Sequence, residues 1–305
     1  MVLTGLEIFH QVIIKLAFLR FFFNLFKTKI YWCHLNISLS RLTHIILFEL
    51  VRLFNTKRGL LALSAFATIW FIILYYFVGS ATGIVTSPSF ERIASDVFGA
   101  LGLSALFKWP VSEFAIYWLV AVYFFPVFSV LACSDQICSD KQRGTLRFIT
   151  LRSTRLELIL GRYLGQLLII TILITLTMLA TIILASLRDT SLLIIGLFIA
   201  IKLFLELSII VMPFIALMTL LNTLVTSARL AVVMATLFFG LGPLIVTFVE
   251  YQFGQNFYLN LVFPGGQISS ILSQTNVSGA HYLLPLLQTL AFIVCSHFVM
   301  KRAAL

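Results

Sequence analysis

The sequence predicts an all-α, polytopic integral membrane protein with six transmembrane helices and an N-terminal interfacial amphipathic helix. Of its 305 residues, 61% are hydrophobic and only 10% are charged, whereas soluble domains carry about 25% charged residues. The mean hydropathy is +1.08. Six apolar stretches each approach the ~20 residues that a helix needs to cross a bilayer. A soluble protein of this length could not bury so much apolar surface, so that class is excluded.

Residues 1–58 are expected to form a cytoplasmic or interfacial region before the first span. Within it, "LTHIILFELVRLFNTKRG" interleaves apolar and polar side chains: Ile45, Ile46, Phe48, Glu49, Leu50, Arg52 and Lys57. A basic helix of this pattern lies in the plane of the inner leaflet. A second such helix is expected within residues 9–32. Basic residues interrupt every apolar run there, so no cleavable signal peptide is predicted.

The transmembrane domain is predicted over residues 59–300, and residues 301–305 form a cytoplasmic tail. Its spans cover about 59–79, 114–133, 163–187, 205–224, 231–249 and 282–300. The fourth span belongs to an apolar run, 191–221, that is longer than one crossing requires. Either an outer interfacial segment leads into a span from about Leu205, or one long tilted helix covers the run. The pattern leaves both alternatives open.

Two groups of residues within the spans are candidates for a pathway or a gate. Lys202 and Glu206 are opposite charges four residues apart, so they lie on one helix face. Ionisable residues inside a membrane are functional candidates, but a self-neutralised pair at the outer interface is the favoured alternative. In span five, Gly240, Gly242 and Pro243 predict a kink, which suits either a gate or passive helix packing.

The distribution of basic residues indicates the topology. With the N-terminus inside, 17 of the 21 Lys and Arg residues fall on the inner side. Because Lys and Arg collect in cytoplasmic loops, six spans with both termini in the cytoplasm fit best. The two outer loops, 80–112 and 250–281, mix aromatic residues with Gly and Pro, and we expect short interfacial helices in them.

A dense, mostly basic segment, Cys138–Gly165, separates spans two and three, and we call it the island. It holds one Asp, one Glu, one Lys and five Arg. Gly144 is expected to end the helix that leaves span two, and Thr145 and Ser153 to cap the two helices that follow. The first of these helices is predicted to be short and amphipathic, with one apolar side suited to docking into a groove of another protein: Leu146, Phe148, Ile149 and Leu151.

The start of span three has two further features. Glu157 falls in its first turns, where a negative charge suits the helix dipole. Gly161 and Gly165 are small residues four apart, so another helix can approach span three closely there.

The island resembles permease subunits of ABC-2 type exporters. These carry an acidic residue, then "GTL" or "GSL", a turn, Ser-x-Arg and a "GK" that begins the third span. The matching residues here are Asp140, Gly144, Thr145, Leu146, Ser153, Arg155, Gly161 and Arg162. Arg152 stands where Pro is common, and Arg162 where Lys is common. "FELVRLFNTKRG" and "SARLA" extend the resemblance, which is greatest to single-domain permeases of the nitrous-oxide-reductase maturation type.

The resemblance implies a subunit of an ATP-driven exporter in the bacterial inner membrane. Two permease subunits, expected as a homodimer in the lipid bilayer, would sit on two copies of a separate ABC ATPase that binds ATP and magnesium. The helix before span one would be the interfacial elbow, with Phe48, Glu49 and Arg52 as its candidate residues. The island would be the coupling helix, with these residues at the ATPase contact: Asp140, Arg143, Gly144, Thr145, Leu146, Phe148, Ser153 and Arg155. This chain has no GxxxxGK[ST] phosphate loop, so no cofactor and no ATPase activity of its own are expected.

Other classes fit the sequence less well. An ion-coupled secondary transporter would show inverted repeats and polar groups at the bilayer midplane, and the two halves show no such repeat. A membrane-embedded enzyme or assembly factor would need a catalytic cluster, yet the five His are scattered and the four Cys have no CxxC spacing, so no metal site is predicted. The basic residues follow membrane topology, so no nucleic-acid partner is expected. The substrate is not indicated beyond compatibility with an apolar cargo.

Overall fold

The computed structural model of the protein describes residues 38–79, 111–253, 262–266 and 279–302. The predicted helix within 9–32 and most of both outer loops lie outside these residues. The described part is helical and contains no strand. Six of its helices are long and apolar enough to cross a membrane. These findings confirm the prediction of an all-α, multi-pass membrane protein.

The helices follow one another with short connections wherever the chain is described. The first is α1 (Leu39–Asn55), which we call the elbow helix after the resemblance, and the first spanning helix is α2 (Lys57–Ile72), which continues as a π-helix (Ile73–Val78). The second and third spanning helices, α3 (Ser112–Ala132) and α6 (Arg155–Arg188), enclose two short helices of the island, α4 (Cys138–Gln142) and α5 (Leu146–Arg152). The remaining spanning helices are α7 (Leu192–Leu224), α8 (Ala228–Phe253) and α9 (Gly279–Arg302).

The helix α7 is the centre of the bundle and contacts α3, α6, α8 and α9. The helix α2 joins the bundle through aromatic packing against α3, in which the ring centroids of Trp70 and Phe125 lie 5.4 Å apart and those of Phe66 and Phe128 lie 4.9 Å apart. Aromatic pairs at such separations stabilise a contact beyond the apolar area they bury. The helices α3 and α7 end, α6 begins and α9 ends at one end of the bundle, which we call the island end.

The long apolar run 191–221 lies almost entirely within one unbroken helix, α7. Of the two alternatives that the sequence left open, this favours one long helix over an interfacial segment followed by a span. The Nζ of Lys202 lies 3.9 Å from Oε1 of Glu206, and the hydroxyl of Tyr282 donates to the same oxygen at 2.9 Å. About 27 Å of helix separates Glu206 from Leu224, which is close to the ~30 Å thickness of the hydrocarbon layer. The position of Glu206 therefore favours a neutralised pair near the far boundary of the membrane.

The fifth spanning helix, α8, continues through Pro243 without interruption. A Cβ placed on Gly242 would lie 2.1 Å from Cε1 of Phe263, whereas one on Gly240 would meet none of the described residues within 4 Å. The ring of Phe263 also lies 4.8 Å from that of Phe238. Gly242 thus makes room for an aromatic contact, which favours a packing role at this position.

Candidate functional site

A buried arginine joins three elements at the island end. Arg162, near the start of α6, is 2% exposed, and its guanidinium donates to the carboxylates of Glu49 in α1 and Asp140 in α4. Nε2 of Gln166 donates to Oε2 of Glu49 at 2.8 Å. The guanidinium carbon also lies 5.3 Å from the ring centroid of Phe48. We call Arg162, Glu49, Asp140 and Gln166 the Arg162 cluster; it connects the elbow helix, the island and a spanning helix.

Two glycines allow α1 to approach α6 closely enough for these contacts. A Cβ on Gly161 would lie 2.7 Å from Cγ2 of Ile45, and one on Gly165 would lie 2.8 Å from Cβ of Glu49. Real side-chain carbons almost never approach so closely. The close helix contact predicted from the spacing of these glycines is confirmed, and its partner is the elbow helix.

A second arginine, Arg52 of α1, extends the Arg162 cluster toward the end of α3. Nη2 of Arg52 donates to the backbone carbonyl of Asp135 at 2.8 Å and to its carboxylate Oδ2 at 3.1 Å. Nη1 of Arg52 lies 3.8 Å from Oε1 of Glu49. Of the three predicted elbow residues, Phe48 is 54% exposed, whereas Glu49 and Arg52 are turned toward the protein.

The turn between α5 and α6 is closed by a capping box. The Thr154 hydroxyl accepts the N–H of Glu157 at 3.2 Å, and Oε2 of Glu157 accepts the N–H of Thr154 at 2.7 Å. The other carboxylate oxygen accepts the N–H of Ser38 at 2.6 Å. The prediction that Ser153 caps α6 is wrong, since its hydroxyl donates to the Ile149 carbonyl at the end of α5. Only Thr154 stands three residues before Glu157, which is the spacing that a capping box requires.

The turn between α4 and α5 follows the prediction only in part, because the helix of span two already ends at Ala132 and Gly144 follows the separate helix α4. Gly144 has a φ of +68°, a conformation that costs glycine little, and it follows the end of α4. Thr145 occupies the N-cap position of α5, but its side chain makes no cap there. Its hydroxyl donates instead to Oδ1 of Asp140 at 3.2 Å. Asp140 is therefore held by both Thr145 and Arg162.

The helix α5 has two apolar faces, so the prediction of a single apolar side is wrong. Leu146 is buried and Ile149 packs beside it, whereas Phe148 is 71% exposed and Leu151 is 83% exposed. At about 100° per residue, Leu146 and Ile149 share one face, and Phe148 and Leu151 share the other. One face anchors the helix to the bundle, and the other is presented outward between exposed arginines.

Two cations of the island bind the backbone carbonyls at the ends of other spanning helices. Nζ of Lys141 donates to three backbone carbonyls at the end of α7, at 2.6–3.0 Å: those of Asn222, Thr223 and Val225. The Arg155 guanidinium donates to two carbonyls near the end of α9: those of Met300 and Lys301. The last carbonyls of a helix have no partner within it and carry the negative end of its dipole. These cations therefore attach the island to α7 and α9.

The predicted site residues divide into two groups. The structure brings together Glu49, Arg52 and Asp140 at the island end. It places the candidate pathway residues elsewhere, in α7 and α8: Lys202, Glu206, Gly240, Gly242 and Pro243. Sequence reasoning missed Lys141 and Gln166 as contact residues. The only signal for Gln166 was an amide inside an apolar run, and Lys141 had none because its partners follow it by more than eighty residues.

Replacing Lys141 with Met is expected to weaken the attachment of the island to the end of α7. Cys138 is fully buried and donates from its thiol to Oδ1 of Asn222 at 2.9 Å. Losing these three charge-assisted hydrogen bonds should raise the fraction of molecules in which the island has separated from α7. The alkylation rate of Cys138 should rise with that fraction, by about tenfold. The rate is measured per residue by mass spectrometry with N-ethylmaleimide and compared with that of Cys138 in the unchanged protein.

The matched control is Lys301→Met, which removes one exposed lysine at the same end of the bundle. It should leave the alkylation rate of Cys138 unchanged. Equal alkylation rates of Cys138 in the Lys141→Met variant and the unchanged protein would show that these three hydrogen bonds do not hold the island against α7.

No protein-family model matches this sequence, and no curated protein matches it either. The assignment of a function therefore depends on the contacts described above and on the resemblance carried by the island.

Proposed function

We propose that the chain is the transmembrane permease subunit of an ATP-driven ABC exporter of the ABC-2 type. In this proposal, ATP is hydrolysed with magnesium on a separate ATPase, two copies of which bind beneath a permease homodimer. The chain itself binds no cofactor and is not an enzyme. The protein resides in the bacterial inner membrane with both termini in the cytoplasm, which the inner position of most of its basic residues supports.

The observation that carries the proposal is the construction of α5. Its outward face presents Phe148 and Leu151, which are 71% and 83% exposed, beside the exposed Arg147 and Arg152. An apolar pair flanked by cations suits a groove with an acidic rim on a soluble partner. By contrast, a helix that only connected two spans would gain nothing from exposing two large apolar side chains.

The attachments of the island explain how a partner's motion would reach the spans. Lys141 joins the island to the end of α7, Arg155 joins it to the end of α9, and Arg162 joins it to the elbow helix. A displacement of α5 would therefore pass to the central helix and to its most extensive neighbour, α9. Such a rigid connection between a docking helix and the spans is what coupling of ATP hydrolysis to transport requires.

The substitution Leu151→Asp is expected to weaken ATPase binding strongly while the chain still folds, because the side chain of Leu151 is 83% exposed. Truncating apolar anchors at an interface costs about 2 kcal/mol or more each, which weakens binding by at least ~30-fold. The measurement places a photo-crosslinking amino acid at position 148 in cells and identifies the adduct by mass spectrometry. An adduct containing a phosphate-loop ATPase, lost in the Leu151→Asp background, is the expected result.

The matched control is the same crosslinker at Leu187, which is 78% exposed near the opposite end of α6. It should capture no ATPase. If position 148 yields no phosphate-loop ATPase, or if Leu151→Asp leaves the adduct intact, the proposed function fails.

A further inference from the structure

Two spanning helices that pack against each other, α3 and α7, each contain a buried proline: Pro126 and Pro213. A proline has no backbone N–H, so the carbonyl four residues earlier loses its helical partner, that of Val122 in α3 and that of Ile209 in α7. Helices bend sharply at such positions more than elsewhere. The helix α6 contains no proline over its 34 residues. The backbones of α3 and α7 are therefore interrupted at one position each, whereas that of α6 is not interrupted in this way.

Between the prolines and the island, buried hydrogen bonds join the ends of α3 and α7. Nδ2 of Asn222 donates to the backbone carbonyl of Cys133 at 2.9 Å, and the Thr219 hydroxyl donates to Oε1 of Gln136 at 2.9 Å. These four residues are at most 1% exposed, and we call them the end contact. Lys141 adds its three hydrogen bonds from the island to the same end of α7. The ends of the two helices and the island are thus held together.

The two prolines lie at similar depths in the bundle. Both helices end at the island end, so they run in the same direction. At about 1.5 Å of rise per residue, Pro126 lies about 10 Å from Cys133, and Pro213 lies about 14 Å from Asn222, which binds Cys133. The difference is less than the pitch of one helical turn, about 5.4 Å. The end segments of α3 and α7 therefore have nearly the same length.

On the other side of the prolines, the two helices are held by different neighbours. The hydroxyls of Tyr117 in α3 and Thr177 in α6 are hydrogen-bonded at 2.9 Å. Glu206 in α7 accepts the hydroxyl of Tyr282 in α9 at 2.9 Å. Each proline therefore separates a segment that is attached to the island from a segment that is attached to the rest of the bundle.

We propose that the end segments of α3 and α7 swing as one body about Pro126 and Pro213 when the island is displaced. The chain itself connects α4 to the end of α3, and Lys141 connects α4 to the end of α7, so both segments follow the island. The hinge is a property of this chain alone. Its use in a transport cycle driven by an ATPase rests on the proposed function.

The test measures the bending of α7 with spin labels at Leu205 and Leu224. These positions are 56% and 51% exposed, lie on opposite sides of Pro213 and would be about 28 Å apart on a straight helix. Cys33 and Cys295 are replaced by Ser, and an excess of chains without the introduced cysteines keeps both labels within one subunit. Pulsed electron paramagnetic resonance in lipid vesicles should give a broad distribution of distances that extends below the straight-helix value.

Pro213→Ala restores the missing N–H and should remove the shorter distances. Pro126→Ala should remove them as well, although it changes the other helix, because the end contact makes the two segments move together. A proline that only shaped α7 for packing would respond to Pro213→Ala and not to Pro126→Ala. The matched control is Pro243→Ala in α8, which lies outside this pair of helices and should leave the distribution unchanged. Should Pro213→Ala fail to fold, Pro126→Ala still gives the measurement.

Three results would overturn the proposal. If Pro126→Ala leaves the shorter distances in place, the two helices bend independently. A single distance near the straight-helix value in the unchanged protein would show that α7 has no hinge at Pro213. Equal narrowing by Pro243→Ala would assign the effect to general stiffening of the bundle. All distances are measured without an ATPase, so a failed crosslink at position 148 would end the proposed function without deciding whether the hinge exists.

Discussion

Replacing Arg162 with Met is expected to lower the free energy of unfolding by about 3–5 kcal/mol, since it removes the nearest cation from the buried carboxylate of Glu49. Glu49 is 1% exposed, and its other partners are the amide of Gln166 and the more distant guanidinium of Arg52. The measurement is equilibrium unfolding of the purified protein in mixed micelles, followed by circular dichroism. The same substitution at the exposed Arg152 should change stability by less than about 0.5 kcal/mol.

A second variant distinguishes the effect of the lost charge on stability from the effect of the changed side-chain packing. Adding Glu49→Gln and Asp140→Asn to Arg162→Met removes the unpaired carboxylates, and most of the lost stability should return, because neutral groups are less costly to bury than unpaired charges. If the triple variant is as unstable as Arg162→Met alone, the loss arises from packing. If Arg162→Met is as stable as the unchanged protein, the cluster does not hold α1 in place.

Replacing Gly165 with Val is expected to displace the elbow helix. The added Cβ would lie 2.8 Å from Cβ of Glu49 and 3.5 Å from Cα of Ile46, and the two methyl groups beyond it would extend further into α1. Neither neighbour can yield easily, because Glu49 is fixed by Arg162 and Gln166. Overpacking of this kind costs about 1–3 kcal/mol, measured as above. If α1 separates from α6, the Arg162 cluster also becomes partly exposed, and the free energy of unfolding should fall further for that reason.

The control for this variant is Gly240→Val in α8, where a Cβ would have no atom within 4 Å in the described part of the chain. Both substitutions change glycine to the same β-branched residue within a helix, so their effects on helix propensity cancel in the comparison. The displacement of α1 is read independently from a disulfide engineered between α1 and α6 in the two backgrounds. Equal crosslinking in both would contradict the close-packing role of Gly165.

Together these contacts make the elbow helix and the island one unit. Arg162 lies between the two, and Glu157 fixes the first residue before α1 through the N–H of Ser38. Under the proposed function, a movement imposed on α5 would carry α1 with it, so the elbow helix would move relative to the membrane surface during each cycle. That coupling depends on the same buried charges that the stability variants probe.

Some features of the site could be predicted because they depend on residues close in the chain. The six spans follow from runs of apolar residues long enough to cross a bilayer, and Gly144 breaks a helix through its own backbone preference. The capping box was also present in the sequence, as Thr154 followed three residues later by Glu157. It was missed because Ser153, one residue earlier, offers the same hydroxyl. Only the position of Glu157 distinguishes the two.

The sequence by itself determined that this protein crosses a membrane with six helices and that its densest charge lies between the second and third. Only the tertiary structure decided what those charges touch. It buried Arg162 between Glu49 and Asp140, and it placed Lys141 on the carbonyls that end α7. The physical reason is that apolar length and turn chemistry act locally, whereas an ion pair or a helix cap forms wherever the packing of distant helices brings donor and acceptor within about 3 Å.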